Sequence, residues 1–205
     1  MFVVRQLEVG GFDDNFSYLF YTREGRAALV DPTGELAVIR RAIAAVPVAL
    51  QPGYIFLTHS HRDHFGDWPA ILAMFPAPVV AHPAASLPIP FRAAGDRERL
   101  PLGTGFVEVL YTPGHSPDSV CYRLSDDDGL FTGDTLFVDC CGYGKTEELY
   151  RSLQQVIYPL PDSLPVYSGH NYGHLPVTQL GEEKRRNPYL KRQSLAAFSE
   201  AMKTL

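Results

Sequence analysis

Thr58-His59-Ser60-His61-Arg62-Asp63-His64-Phe65-Gly66-Asp67 is the stretch on which the reading of this chain turns. Three imidazoles and a carboxylate, His59, His61, Asp63 and His64, fall within six positions. Neutral imidazole and carboxylate are common ligands of divalent metals, and few structural needs crowd histidines in this way. Tyr54 to Thr58 reads as a short apolar strand that delivers the cluster. Alternate residues leaving a strand point the same way, so His59 and His61 can share one ion. Asp63 and His64, past a turn, point elsewhere and can share a second. The spacing therefore predicts two adjacent metals.

Upstream, Phe2 to Val9, Phe16 to Thr22 and Arg26 to Val30 read as strands, the last two joined by a turn at Arg23-Glu24-Gly25. Leu36, Ile39, Ile43 and Val46 recur at helical spacing and predict a helix over 35–46. Downstream, a helix is expected from Trp68 to Phe75, a strand at Val79 to Ala81, and a surface loop over the Pro- and Ala-rich residues 83–98. Strands follow at Phe106 to Tyr111, Ser119 to Leu124, Leu130 to Thr132 and Val166 to Tyr167, with helices over 146–157 and most of 189–203. The opening hairpin argues against an all-parallel sheet. Two packed mixed β-sheets flanked by helices, in one α/β domain spanning 1–205, account best for the alternation.

Three later segments share one form, a short strand, a glycine and a ligand-type residue: Pro113-Gly114-His115, Thr132-Gly133-Asp134 and Ser168-Gly169-His170. Glycine lets the backbone bend tightly at a strand end and aims the next side chain into a cleft. The formal charge of −5 argues against a nucleic-acid footprint. Lys184-Arg185-Arg186 reads as a solvated helix face. No apolar run is long enough to span a bilayer, and no signal peptide is evident. Cys121, Cys140 and Cys141 form no disulfide framework and read as packed thiols, which fits a reducing, cytoplasmic setting.

With those motifs in that order, the chain resembles the metallo-β-lactamase superfamily, and within it the glyoxalase II (hydroxyacylglutathione hydrolase) group. The matching residues are Thr58 to His64, Thr112-Pro113-Gly114-His115-Ser116, Phe131-Thr132-Gly133-Asp134-Thr135-Leu136-Phe137 and Gly169-His170. The resemblance runs from about Leu7 to Leu190. It implies an αββα sandwich with metals at one edge of the paired sheets. His59, His61 and His115 would hold the first metal, Asp63, His64 and His170 the second, and Asp134 would bridge them. The ions implied are two divalent metals, zinc foremost, with iron and manganese also occurring in the group. The implied chemistry is attack by a metal-bridging hydroxide on the carbonyl of an acyl thioester. Asp134 takes part as the bridge, and Asp63 is given a second role in orienting the hydroxide or handling its proton. Asp31 is either an acceptor behind the histidine cluster or a turn aspartate. Thr58, Ser116 and Thr135 are expected as supporting hydroxyls, Gly66 as a turn, and His82 as structural. His174 is placed at the cleft mouth, and Tyr172 against the thiol carrier.

The chain also departs from the group. The residues after Asn187-Pro188 leave room for only a short helix, so the extra C-terminal helical region that helps hold glutathione in the group is not expected within 1–205. Where the group has Gly-Cys-Gly-Lys this chain reads Cys140-Cys141-Gly142-Tyr143, so Tyr143 stands in place of the gripping lysine, with Lys145 nearby. The Cys140 to Thr146 segment is short, which would open the cleft to a pantetheine arm or a bulky acyl chain. Glutathione, coenzyme A and the pantetheine of an acyl carrier protein all remain as thiol carriers. Two alternative activities use the same motifs. One is a mononuclear iron persulfide dioxygenase, whose paired arginines are absent here. The other is a lactone hydrolase.

Overall fold

The computed structural model describes residues 1–191 and 194–205. Six strands form the first sheet in chain order: β1 (Phe2–Gly10), β2 (Asn15–Thr22), β3 (Arg26–Val30), β4 (Gln51–Phe56), β5 (Val79–Ala81) and β6 (Arg92–Ala93). β1 to β3 pair antiparallel and β3 to β6 parallel, so the sheet is mixed. The second sheet comprises β7 (Arg99–Leu102), β8 (Gly105–Tyr111), β9 (Val120–Leu124), β10 (Leu130–Gly133), β11 (Pro165–Ser168) and β12 (Thr178–Gln179). Only β10 and β11 are parallel in it.

The two-residue period of a strand sorts side chains between two faces, and β2 shows this directly. Phe16, Tyr18 and Phe20 face the second sheet, while Leu19 and Tyr21 face helices. Between the sheets the aromatic rings interlock, Phe20 with Phe131 at 5.3 Å and Phe56 with Tyr122 at 4.7 Å between centroids. α1 (Leu36–Ala44) and α2 (Trp68–Met74) cover the outside of the first sheet through Ile39, Trp68 and Ile71. α3 (Thr146–Arg151), α4 (Leu180–Arg186) and α5 (Leu195–Ala201) cover the second through Leu149, Leu180 and Phe198. The layers are helix, sheet, sheet, helix, as the strand pattern led one to expect. Among the described residues no helix is long and apolar enough to cross a membrane.

Three details differ from the sequence reading. The expected loop over 83–98 holds β6, whose Ala94 neighbour is buried, and it runs into β7, an unanticipated edge strand. Pro101 lies in β7, and a proline is tolerated there because an edge strand leaves one side unpaired. The expected 146–157 helix is α3 followed by a π-helical stretch, Ser152–Ile157, in which Tyr158 N–H donates to Leu153 O at 2.8 Å. Of the helix expected over most of 189–203, Tyr189 and Leu190 form a turn and Leu195–Ala201 form α5, capped by Ser194, whose hydroxyl accepts from Ala197 N–H. Residues 192–193 of that stretch lie outside the described residues. The preceding helix is α4, which carries the Lys184-Arg185-Arg186 triplet in its last turn and stops at Asn187, ahead of Pro188.

The strand ends that carry the ligand-type residues meet at one edge of the sandwich. There the sheets are joined directly, Phe16 N–H to Gly169 O and Val120 N–H to Thr58 O, both at 2.8 Å.

Candidate metal centre

β4 ends at Phe56, and Leu57 and Thr58 lead into the histidine stretch, which closes in a single 3₁₀ turn over Arg62–His64. Two side groups pin this stretch. Asp31 leaves β3 with φ of 46° and accepts from Thr58 N–H (2.8 Å), Thr58 Oγ1–H (2.6 Å) and His64 Nδ1 (3.0 Å). Asp118 accepts from Ser60 N–H at 2.8 Å and from the Ser116 hydroxyl, so it couples this stretch to the one carrying His115. The Asp31 question is thereby resolved: it is the acceptor behind the cluster. Gly66 N–H donates to Pro32 O at 2.9 Å, tying the end of the histidine stretch to the segment after β3.

The three glycines before the later residues serve different ends. Gly114 and Gly133 have φ of +138° and +48°, the region that favours glycine. Gly169 is needed for space instead: a Cβ there would lie 2.3 Å from Asp134 Oδ1 and 2.8 Å from His64 Cε1.

The structure brings all seven expected side chains together, in two groups. His59, His61 and His115 form one, and Asp63, His64, Asp134 and His170 the other, with the candidate ligand atoms in each within 4.8 Å of one another. His61 Nδ1 lies 2.9 Å from His59 Nε2 and 3.0 Å from His115 Nε2. Asp134 lies between the groups. Its Oδ2 is 3.4 Å from His115 Nε2, 3.4 Å from His170 Nε2 and 4.0 Å from His59 Nε2, and its Oδ1 is 3.3 Å from His64 Nε2.

The far nitrogen of each ring fixes what the near one offers. His115 Nδ1 donates to Tyr143 O at 2.9 Å, and His170 Nδ1 to Asp13 O. His64 Nδ1 donates to Asp31. His59 Nδ1 faces Thr58 Oγ1 at 3.2 Å, and that hydroxyl has already given its hydrogen to Asp31. In its neutral form each of these four rings thus turns a lone pair inward. His59 and His115 aim theirs at His61 Nδ1, which can donate to only one of them. His64 and His170 aim theirs at carboxylates, where lone pairs meet negative oxygens, and His64 Nε2 and Asp134 Oδ1 are buried without a hydrogen-bond partner. A cation in each group turns these contacts from repulsion to ligation, so the residues fit a pair of metals.

The electrostatics agree. Burial works against charge on His64, but the Asp134 and Asp31 carboxylates prevail and raise its pKa well above the usual value. Burial likewise opposes charge on His170, yet Asp134 and Asp63 push it up to about 10. The His170 hydrogen bond is foremost in holding Asp63 far below the ordinary carboxylate range. Burial lowers His59 and His115, aided by repulsion from neighbouring histidines. The second group therefore draws in positive charge, which a proton or a metal can supply.

Of the other expected residues, Tyr172 stacks on His170 (4.9 Å, 7° between planes) and its hydroxyl donates to Asp13. Tyr143 is 75% exposed on the rim of the cleft at His115 and Asp134. Lys145 instead pairs with Glu148 at 3.1 Å. Thr135 bonds Thr112 at 3.1 Å, away from the rings. His82 stacks on Tyr111 (4.2 Å, 2°), and His174 pairs with Asp139 at 2.6 Å. Cys121 and Cys141 are buried, and burial, with help from Asp139 and Glu183, pushes the Cys140 thiol up to about 11. Sequence reading missed Asn15, whose Nδ2 lies 3.4 Å from Asp63 Oδ2 and 3.5 Å from His170 Nε2, as well as Asp13 and Asp118. The Asp13 contact to His170 is a backbone carbonyl, which carries no residue signature.

Comparison with known proteins places this geometry. Residues 10–203 match the profile of the metallo-β-lactamase superfamily. A probable hydroxyacylglutathione hydrolase, glo2 of Schizosaccharomyces pombe, is 34% identical over 171 residues, 79% of this chain and 66% of the relative. The chain thus spans just under two thirds of that protein's length. The probable polyketide biosynthesis zinc-dependent hydrolase BaeB of Bacillus velezensis is 29% identical over 188 residues, 86% of this chain and 82% of the relative. Among solved structures, ETHE1 from Myxococcus xanthus superposes with a TM-score of 0.81 at 32% identity, covering 98% of this chain and 90% of its own.

Proposed function

The chain belongs to the metallo-β-lactamase superfamily, and from that premise we propose that it is a dinuclear thioesterase: R–CO–SR′ + H₂O → R–COOH + HSR′. The observation that carries the reading is the inward aim of four tautomer-fixed imidazoles around the Asp134 carboxylate. His59, His61 and His115 would hold one divalent ion, Asp63, His64 and His170 the other, and Asp134 both. Zinc suits the nitrogen-rich first set, and BaeB is described as zinc-dependent. Such a pair supplies an acidified water and a Lewis acid toward a carbonyl oxygen.

The protein's own side chains do the rest. Asp63, half-buried and held as a carboxylate, faces the same space as Asp134 and is the group positioned to accept a proton from the attacking water. Asn15 and His170 fix its orientation. Asp13 O and Tyr143 O keep the His170 and His115 rings from turning. Open clefts flank this row, one at His115 and Asp134 and one at Asp63, and leave room for the substrate. The hydroxyacylglutathione hydrolase activity ascribed to glo2 supports a thioester, and the zinc-dependent hydrolase activity ascribed to BaeB supports metal-dependent hydrolysis. Glutathione is disfavoured as the thiol because Tyr143 stands at the rim and Lys145 is engaged by Glu148.

Elemental analysis of the purified protein, paired with a panel of glutathione, coenzyme A and N-acetylcysteamine thioesters, tests the reading. Two equivalents of zinc with thioester turnover are expected. One equivalent of iron with oxygen uptake on a persulfide would replace it with the dioxygenase.

A further inference from the structure

The candidate ligands of the first group come from both sheets. His59 and His61 follow β4 of the first sheet, and His115 follows β8 of the second. His61 Nδ1 lies 3.0 Å from His115 Nε2, so what the group offers an ion depends on how the two loops are held together. His59 and His115 are each steadied at the outward ring nitrogen, by Thr58 Oγ1 and Tyr143 O. The His61 ring is exposed, and its outward Nε2 has no hydrogen-bond partner among the described residues. Its place is therefore set by its backbone.

Asp118 lies where that backbone is gripped. It is 3% exposed, in the turn that follows His115. One carboxylate oxygen accepts at 2.8 Å from Ser60 N–H, the residue before His61, and the other accepts from the hydroxyl of Ser116, the residue after His115. A carboxylate is costly to bury, and a turn alone can be made with asparagine or serine. Two acceptor oxygens on one rigid plane, however, hold two donors at a fixed separation. The turn is itself anchored, since the Tyr111 hydroxyl donates to Pro117 O at 2.9 Å and the His82 ring lies flat on the Tyr111 ring at 4.2 Å. We propose that Asp118 is a positioning residue for the first ion, a clamp between the loops after β4 and β8 that fixes the separation of His61 and His115. Asp31 is a different device, because its partners Thr58 and His64 both lie in the loop after β4. The proposal rests on the two-ion reading of the centre and is independent of the substrate.

Zinc titrated against a chromophoric chelator tests the clamp in two proteins that each keep one group whole, His170→Ala the first and His115→Ala the second. Asp118→Ala is expected to weaken zinc binding about 10–100-fold in the His170→Ala protein, as loss of a ligand's outer partner typically does, and to leave it within about twofold in the His115→Ala protein. Asp118→Asn keeps an acceptor for Ser60 N–H and turns its amide toward the Ser116 oxygen, so it should restore most of the lost affinity. Cobalt(II) in the His170→Ala protein gives a second readout. Its visible bands report ligand geometry and should shift with Asp118→Ala but not with Asp118→Asn. Equal weakening in both single-group proteins would reduce Asp118 to a residue of the fold, and unchanged affinity in the first would remove it from the centre; either overturns the proposal. Ser116→Ala, which opens one arm of the clamp and leaves Ser60 bonded, decides by the same comparison if Asp118→Ala does not fold. A wild-type protein that takes up only one zinc would bring down the two-ion reading together with the clamp, whereas two zinc ions held at wild-type affinity by Asp118→Ala would sink the clamp alone.

Discussion

Replacing Asp31 by asparagine is the sharpest test of how the metal centre is held. The change is nearly isosteric, and asparagine tolerates the φ of 46° that this position adopts. Three donors converge on the carboxylate: Thr58 N–H on Oδ1, and Thr58 Oγ1–H with His64 Nδ1–H on Oδ2. An amide supplies one acceptor oxygen. If its nitrogen sits at the Oδ1 position, it opposes Thr58 N–H at 2.8 Å and strands a buried donor, at about 1–3 kcal/mol. The nitrogen therefore takes the Oδ2 position, where it donates toward His64 Nδ1. His64 must then move its proton to Nε2, the atom 3.3 Å from Asp134 Oδ1 and 3.5 Å from Asp63 Oδ2. A protonated Nε2 cannot ligate. Loss of such a supporting acceptor typically costs 10–100-fold in metal affinity, and the loss should fall on both ions, since the Thr58 hydroxyl loses the same oxygen and no longer fixes the His59 tautomer. Competition titration with a chromophoric chelator, resolving two binding steps, measures it. An Asp31→Asn protein that binds both ions with wild-type affinity would refute the tautomer argument.

Asp63→Ala should reduce kcat by at least about a hundredfold, the usual range for a positioned proton acceptor; full rates with both ions retained would remove Asp63 from the chemistry. Gly169→Ala drives a Cβ to 2.3 Å from Asp134 Oδ1, so metal content should drop and stability fall by about 1–3 kcal/mol; unchanged metal content would show that the edge relaxes freely. The metal-free protein should lose stability as pH rises from about 6.5 toward 10. The raised His64 and His170 pKa values contribute stability below the unfolded histidine pKa, and it drains away as pH climbs through the folded values, about 10 for His170. Thermal melts of chelator-treated and metal-loaded protein across that range test it, and parallel curves would contradict the pairing.

The sandwich was legible because its signal is repeated. Phe16, Tyr18 and Phe20 on one face and Leu19 and Tyr21 on the other state the strand period and the two-sided burial together. Where local signal is thin, the reading failed. β6 is two residues long and is held by pairing to β5, not by its own composition. β7 contains Pro101 and reads as a breaker until its place at the sheet edge is known. Tyr189 and Leu190, at the start of the helix expected over most of 189–203, are buried in a turn instead, and the helix described there is Leu195–Ala201. The candidate metal ligands could be read because histidine is scarce and here comes in sequence order. Asp31 and Thr58 could be read as supports from their strand ends, whereas Asp13 and Tyr143 act through carbonyl oxygens that every residue has.

This division has a consequence for what the fold can vary. The atoms that set the ring tautomers are the Asp13 and Tyr143 carbonyl oxygens and the side chains of Asp31 and Thr58, the last two buried at the sheet edge. They are constrained by burial and by the close approach of the two sheets. The walls of the cleft at His115 and Asp134, which include Phe137 and Cys140, have a different support. Glu183 accepts from Asp139 N–H at 2.9 Å and from Asn187 Nδ2 at 2.8 Å, and Asn187 Nδ2 also lies 2.9 Å from Cys140 O. The loop bearing Phe137 and Cys140 is thus hung from α4, not from the strands. A change in α4 acts on the walls through Asp139 and Cys140, while Asp31 and Thr58 keep their own contacts at the strand ends. Asn187→Ala should accordingly broaden or alter substrate preference while two-ion binding stays intact. Loss of metal in that variant would mean that the walls and the ion pair are one mechanical unit.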